Sequence, residues 1–216
     1  MPTHINRREF LKTAAIGLGV TVLSGAGVVS LATRSPAVTL YELESTGEME
    51  GKILIAYASR YGSTAEIAHE MAKVFQKYGK NVDVCLVDRI KDVSLYHSII
   101  VGSAVQRAQW LPEAVKFVKD NRLTLRRIPT VYFTVCLTMA QDNDARRQKA
   151  QSFLDTVHEY NHADIEGYFG GLLDYERLSW LDRTIMKSRG REKEGDYRDW
   201  NAIRAWTDDV YHRLLA

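Results

Sequence analysis

An open, mostly parallel α/β sheet with helices on both faces is the fold class this sequence predicts. Three observations carry that expectation. From Lys52 onward, short runs recur that are apolar throughout, as strands buried on both faces require. Between several of them lie segments whose apolar residues repeat at helical spacing. The strand and helix patterns largely alternate, and alternation calls for right-handed crossovers and a parallel sheet.

The chain opens outside this pattern. Asn6-Arg7-Arg8-Glu9-Phe10-Leu11-Lys12 precedes nineteen uncharged residues, Ala14 to Ala32. A basic head before a weakly hydrophobic, glycine-containing run is a targeting segment and no part of a fold. The paired arginines ahead of Phe-Leu-Lys resemble the twin-arginine export signal, whose machinery carries folded proteins. That resemblance implies a protein that is periplasmic, or anchored in the membrane and facing away from the cytoplasm. A run of this length also suits a plain N-terminal anchor, and Ser30-Leu31-Ala32 offers a small-x-small cleavage site. Residues 1–32 are read as signal or anchor. Residues 33–51, with Pro36, Ser45, Thr46, Gly47 and no apolar period, are a linker, and 52–216 form one domain.

Within that domain Lys52 to Ala58 is the first strand, a continuous apolar run after its lysine. Thr64 to Tyr78 places Ile67, Ala68, Met71, Val74 and Phe75 on one stripe and is a helix, with Gly79 as its stop. Val82 to Val87 and Ser98 to Ser103 are strands. Pro112 to Asn121 is a helix with proline in its first turn. Thr130 to Val135 is a strand, Asp144 to Tyr160 a helix, Asp164 to Gly170 a strand, and about Trp200 to Leu215 the last helix. The segment Leu172 to Arg198 is irregular, apart from a short amphipathic piece, Trp180 to Lys187. No internal repeat or second core is present.

Charge and cysteine content exclude several chemistries. The formal net charge is +2, but four of the 29 basic residues and one of the 27 acidic ones lie in the first 34. The remaining 25 against 26 make the body almost neutral, without the concentrated positive face that nucleic acid needs. Two cysteines cannot build a disulfide framework or a four-thiolate metal site. His69, His97, His158, His162 and His212 are scattered and show no ligand spacing.

In open α/β sheets ligands bind at the carboxyl ends of the strands. The turn after the first strand, Ser59-Arg60-Tyr61-Gly62-Ser63-Thr64, joins a buried strand to a helix start. Free N–H groups, the positive helix end, short hydroxyls and a glycine able to take positive φ make a phosphate cradle. The same composition also suits a capped helix after a tight turn. Gly-x-x-x-x-Gly-Lys-Ser/Thr and Gly-x-Gly-x-x-Gly are both missing, which argues against a nucleoside triphosphate or a dinucleotide.

The turn resembles the flavodoxin phosphate loop, Ser/Thr-x-Thr-Gly-x-Thr, with Ser59, Gly62 and Thr64 in matching places and Tyr61 where threonine is usual. The departure removes one hydroxyl near the phosphate. Gly195-Asp196-Tyr197-Arg198-Asp199-Trp200, followed by Ile203, Arg204 and Trp206, is similar to the C-terminal signature of the menaquinone-dependent protoporphyrinogen dehydrogenases. The resemblance implies a flavodoxin-like three-layer sandwich, a five-stranded parallel sheet of order 2-1-3-4-5, FMN as cofactor, and two further flavin-contacting loops.

Those loops follow the third and fourth strands. Ser103, Ala104 and Val105 in one, and Cys136 and Leu137 in the other, are small or apolar enough for backbone amides to approach a flavin edge. Trp110 either stacks on the flavin or plugs the core beneath the next helix. In the implied strand order Cys85 and Cys136 lie three spacings apart, about 14 Å, too far for a disulfide. Cys136 is expected to pack, not to act as a nucleophile.

Two functions compete. One is an FMN oxidoreductase that passes electrons from a protoporphyrinogen-like donor to a quinone, the other a flavodoxin-like carrier between protein partners. A flavin-free binding module stays open because of Tyr61. The basic stretch Arg183, Lys187, Arg189, Arg191 and Lys193 is either a solvated loop or, with residues 179–191 as a whole, a contact for a membrane surface or an acidic substrate.

Overall fold

The computed structural model describes residues 51–189 and 193–216; the leader, the linker up to residue 50 and Arg191 of the basic stretch lie outside the described residues. Strand β1 (Ile53–Ala58) is followed by α1 (Ser63–Lys77), β2 (Val82–Leu86), β3 (Ser98–Gln106), β4 (Gln109–Trp110) and α2 (Pro112–Leu125). Then come β5 (Thr130–Val135), α3 (Asp144–Gln151), α4 (Asp155–His158), β6 (Ile165–Phe169), β7 (Leu172–Leu173), α5 (Trp180–Arg189), β8 (Gly195–Asp196) and α6 (Trp200–Val210).

The sheet runs β2-β1-β3-β5-β6, all parallel, which is the expected 2-1-3-4-5 order of the five long strands. The short β4 was not foreseen. It folds back antiparallel on the end of β3, and a separate ribbon pairs β7 with β8.

Period-two alternation sends each strand's residues to opposite faces. Ile53, Ile55 and Tyr57 of β1 join Ile67, Met71, Phe75 and Ile203 on the side of α1 and α6. Leu54, Ala56 and Ala58 join Val101, Phe117, Tyr132 and Leu154 on the side of α2 to α4. Both faces are covered, so β1 is buried from end to end, and each large apolar side chain so placed contributes about 1.5–3 kcal/mol. Gly102 makes room within the first of these layers: a Cβ there would lie 1.9 Å from the Phe133 ring.

Helix α1 ends as expected. Gly79 takes φ +73° and its N–H bonds to the Gln76 carbonyl, closing the last turn. The expected continuous helix over 144–160 is instead α3, a 3₁₀ turn at Ser152–Leu154 and the short α4. That bend turns Phe153, Leu154 and Val157 inward together. The last helix likewise widens into a π turn over Tyr211–Leu215, and the amphipathic piece in the irregular segment 172–198, the insertion, is a true helix, α5. Among the described residues, no helix is long and apolar enough to cross a membrane.

Candidate functional site

Parallel strands place the loops after β1, β3, β5 and β6 at one end of the sheet, where Ala58 pairs with Ser103, Ala104 with Val135, and Val135 with Phe169. The loop after β1 is the most distinctive. Its glycine, Gly62, takes φ +91° and occupies the cap position of α1, so no side chain closes the helix start. The Gly62 N–H bonds to Ser59 Oγ at 3.0 Å, folding the loop back on itself. Just inside the helix, Thr64 is fully buried and its hydroxyl oxygen has no partner among the described residues.

Orphaned buried hydroxyls are rare, because desolvation without a hydrogen bond is costly. At the exposed dipole end of a helix, next to a glycine that leaves room, such a hydroxyl fits a phosphate oxygen. The loop residues Ser59 to Thr64 thus suit the phosphate of a bound nucleotide-like cofactor on the structure's own terms. Arg60 points outward, with its guanidinium 3.5 Å from Glu113.

The acid in the first turn, Glu66, would oppose an anion here if it stood alone. It is held by two guanidinium groups: Arg177 Nη1 lies 2.9 Å from Oε1, and Arg198 Nη1 bonds to Oε2. Burial works against the charge of Glu66, but the bonds from Arg177 and Arg198 outweigh it and hold the carboxyl below the usual glutamate range. Arg198 is also paired with Asp196 and lies over the Trp200 ring, 4.6 Å from its centroid. The family-like segment 195–200 therefore serves first as the return arm of the insertion, tied to the helix that starts the cradle.

Of the residues expected in the second loop, Ala104 and Val105 are half-buried at the strand end. Ser103 is spent internally, donating to the Ala104 carbonyl at 2.8 Å and accepting from the Leu111 N–H at 3.0 Å. Of the two roles open to Trp110, stacking on the flavin or plugging the core, the structure supports the core plug and not the stacking contact. Its ring is 2% exposed, its Nε1 donates to Thr134 Oγ1 at 2.9 Å, and it meets Tyr132 edge-on at 5.3 Å. Hairpin alternation turns Trp110 inward and Gln109 outward, so the indole braces the hairpin from below. At the tip Arg107 and Ala108 both have positive φ, at 54° and 61°, a conformation that non-glycine residues seldom take.

In the third loop Cys136 is buried and Leu137 half-buried. Burial pushes the Cys136 thiol above its ordinary range, which suits packing and opposes a nucleophile. The two cysteines are not joined in a disulfide, and Cys85 is only partly buried at the core's edge. Among the described residues no cluster of metal-ligating groups occurs.

A groove of about 610 Å³ lies between Ala140 of this loop and the return arm, lined also by Tyr197, Trp200 and Arg204. Helix α5 is held near the cradle by the Tyr61 hydroxyl, which donates to Asp182. It exposes Trp180, Leu181 and Ile185, at 60%, 51% and 38%. On the same helix the Arg183 Nε is buried and without a partner among the described residues. Sequence reasoning missed Glu66, Arg177 and Asp182, because ion pairs and hydrogen bonds 111 to 132 residues apart leave no local pattern. Ser179-x-x-Asp182 is a helix-start signature that could have marked α5 as a real helix.

The family model described as "Flavodoxin domain" matches residues 54–199. Protoporphyrinogen IX dehydrogenase [quinone] of Escherichia coli (strain K12) is 27% identical over 173 residues, covering 74% of this chain and 95% of that protein. The Leishmania major protein of the same name is 28% identical over 182 residues, 76% of this chain and 77% of its own. A solved oxidised flavodoxin from Bacillus cereus is 15% identical over 76% of this chain and 99% of that one, with a TM-score of 0.48.

Proposed function

The chain belongs to the flavodoxin domain family, with FMN as its cofactor, and we propose that it is an oxidoreductase moving electrons from a protoporphyrinogen-like donor to a quinone. Its residues fit FMN on the orphaned Thr64 hydroxyl and the unclosed helix start at Gly62. Ser59 to Thr64 would hold the phosphate, and the loops at Ala104, Val105, Cys136 and Leu137 would border the ring. When bound, FMN supplies the ability to accept and release electron pairs.

The single observation that carries the reading is the insertion. A helix tied to the phosphate loop that exposes a tryptophan, a leucine and an isoleucine fits an apolar acceptor or the membrane surface in which a quinone dissolves. Arg183, with Nε unsatisfied, and Lys187 on the same helix fit the carboxylates of an acidic donor. A carrier needs neither feature. The protein's own part in the chemistry is to bind and to orient.

One observation favours a second reading. The twin-arginine-like leader, for which we propose export, would put the protein on the side of the membrane away from haem synthesis, where a carrier between redox proteins is the alternative. The purified protein is expected to be yellow, and to couple oxidation of protoporphyrinogen anaerobically to reduction of a menaquinone analogue. Replacing residues 179–191 by a short Gly/Ser link should keep FMN bound and lower quinone turnover by orders of magnitude. Unchanged quinone turnover after that deletion, or none in the intact protein alongside rapid reduction by a protein partner, establishes the carrier.

A further inference from the structure

Tyr61 belongs to the phosphate loop and Asp182 to α5, 121 residues further on, yet the phenol donates directly to the aspartate Oδ2. Asp182 is already held by its own helix. Ser179 donates to the same Oδ2 at 3.0 Å and accepts from the Asp182 N–H at 3.2 Å. That pair caps α5, with the carboxylate at the positive end of the helix. A fixed acceptor therefore waits for the Tyr61 hydroxyl, and the reach of the phenol spans a gap that a threonine at position 61 would leave open.

The remaining ties act elsewhere. Arg177 before the helix and Arg198 after it both end on Glu66, and the β7–β8 ribbon closes the base of the excursion. These fix where the insertion leaves and returns. Tyr61 reaches the helix itself. Burial first, and then the bond to Asp182, raise the Tyr61 phenol above its ordinary range, so it stays a donor at neutral pH.

We propose that Tyr61 is a positioning residue: its bond to Asp182 seats α5 against the phosphate loop, so that the helix's apolar face stands at the flavin cleft. The departure of this loop from a short hydroxyl thus exchanges a phosphate contact for a fastening of the insertion. The proposal rests on the reading of α5 as the acceptor surface. Because loop and helix share one bond, whatever orders the loop favours the seated helix, and the converse holds equally.

The test uses the full-length, FMN-loaded protein with Tyr61→Phe, Asp182→Ala and the double variant. Two quantities are followed: amide hydrogen exchange across 180–189, and steady-state kinetics with a soluble menaquinone analogue. Loss of one hydrogen bond to a charged group should speed exchange of α5 in Tyr61→Phe by about tenfold and raise the quinone KM more than it lowers kcat. In the Asp182→Ala background, which also loses the cap, adding Tyr61→Phe should change neither quantity further. Unchanged exchange in Tyr61→Phe, a further loss in the double variant, or faster exchange with an unmoved KM overturns the proposal. Absence of quinone turnover in the unmodified protein refutes the acceptor reading instead, and the exchange comparison then decides alone whether Tyr61 seats the helix.

Discussion

Arg198, whose side chain is 6% exposed, closes on Glu66 across 132 positions of sequence and so ties the return arm of the insertion to the first turn of α1. Arg177 takes the other oxygen of the same carboxylate. One acid thus gathers the two ends of the insertion at the start of the helix that begins the phosphate cradle.

The pairing fixes a pH dependence. The Glu66 carboxyl lies below its ordinary 4.5 in the folded chain, and Asp196, bonded to Arg198, lies below its ordinary 3.8. Depressed carboxylates contribute stability that is fully present above their unfolded values and is lost as pH falls through the folded ones. Unfolding midpoints should therefore drop as pH is lowered from about 5 towards 3. Glu66→Gln should cost about 1–3 kcal/mol at neutral pH and flatten that acid limb. Urea titrations of both proteins across this range measure it, and parallel acid limbs would remove Glu66 from the account.

Thr64→Val separates binding from folding. The hydroxyl is buried and unpartnered, so an isosteric methyl should leave the flavin-free protein as stable as before or slightly more stable. The same change should weaken FMN by about tenfold or more, the worth of one hydrogen bond to an anion. Fluorimetric FMN titration and thermal melts of the flavin-free protein read the two signs. A variant that loses stability while keeping its FMN affinity would show that the hydroxyl serves the core.

Trp110→Phe distinguishes a core brace from a stacking platform. It removes the bond to Thr134 and part of the packing on Tyr132, and should cost about 1–3 kcal/mol because Thr134 is left buried without its donor. The flavin absorption bands and FMN affinity should stay close to those of the unmodified protein. A shifted flavin spectrum at full stability would restore the stacking role.

The sheet was legible because buried parallel strands leave an unmistakable apolar signature, as in Ile53 to Ala58, and because Gly62 and Gly79 punctuate α1 where positive φ is required. Trp110 was ambiguous for a physical reason. A tryptophan at a strand end is apolar enough for the core and flat enough for a flavin, and only the two-residue hairpin turn decides which way it faces. The hairpin turn itself, Arg107-Ala108, lacks the glycine or asparagine that normally announces one. The insertion's fastenings were illegible because Tyr61, Glu66 and Arg198 act through contacts across more than a hundred residues, whereas capping and periodicity are local.

The leader gives the last prediction. A twin-arginine route requires the arginine pair itself, whereas a general secretion signal or a plain anchor requires only positive charge before the apolar run. Changing Arg7 and Arg8 together to Lys keeps that charge and touches no residue of the domain. The variant should accumulate in the cytoplasm with its yellow colour intact, because the phosphate loop begins beyond the linker. Fractionation with an FMN assay on each fraction checks it. If the lysine variant reaches the membrane or periplasm as the unmodified protein does, the leader is an ordinary signal or anchor. A chain exported unfolded would then have to acquire its FMN after transit.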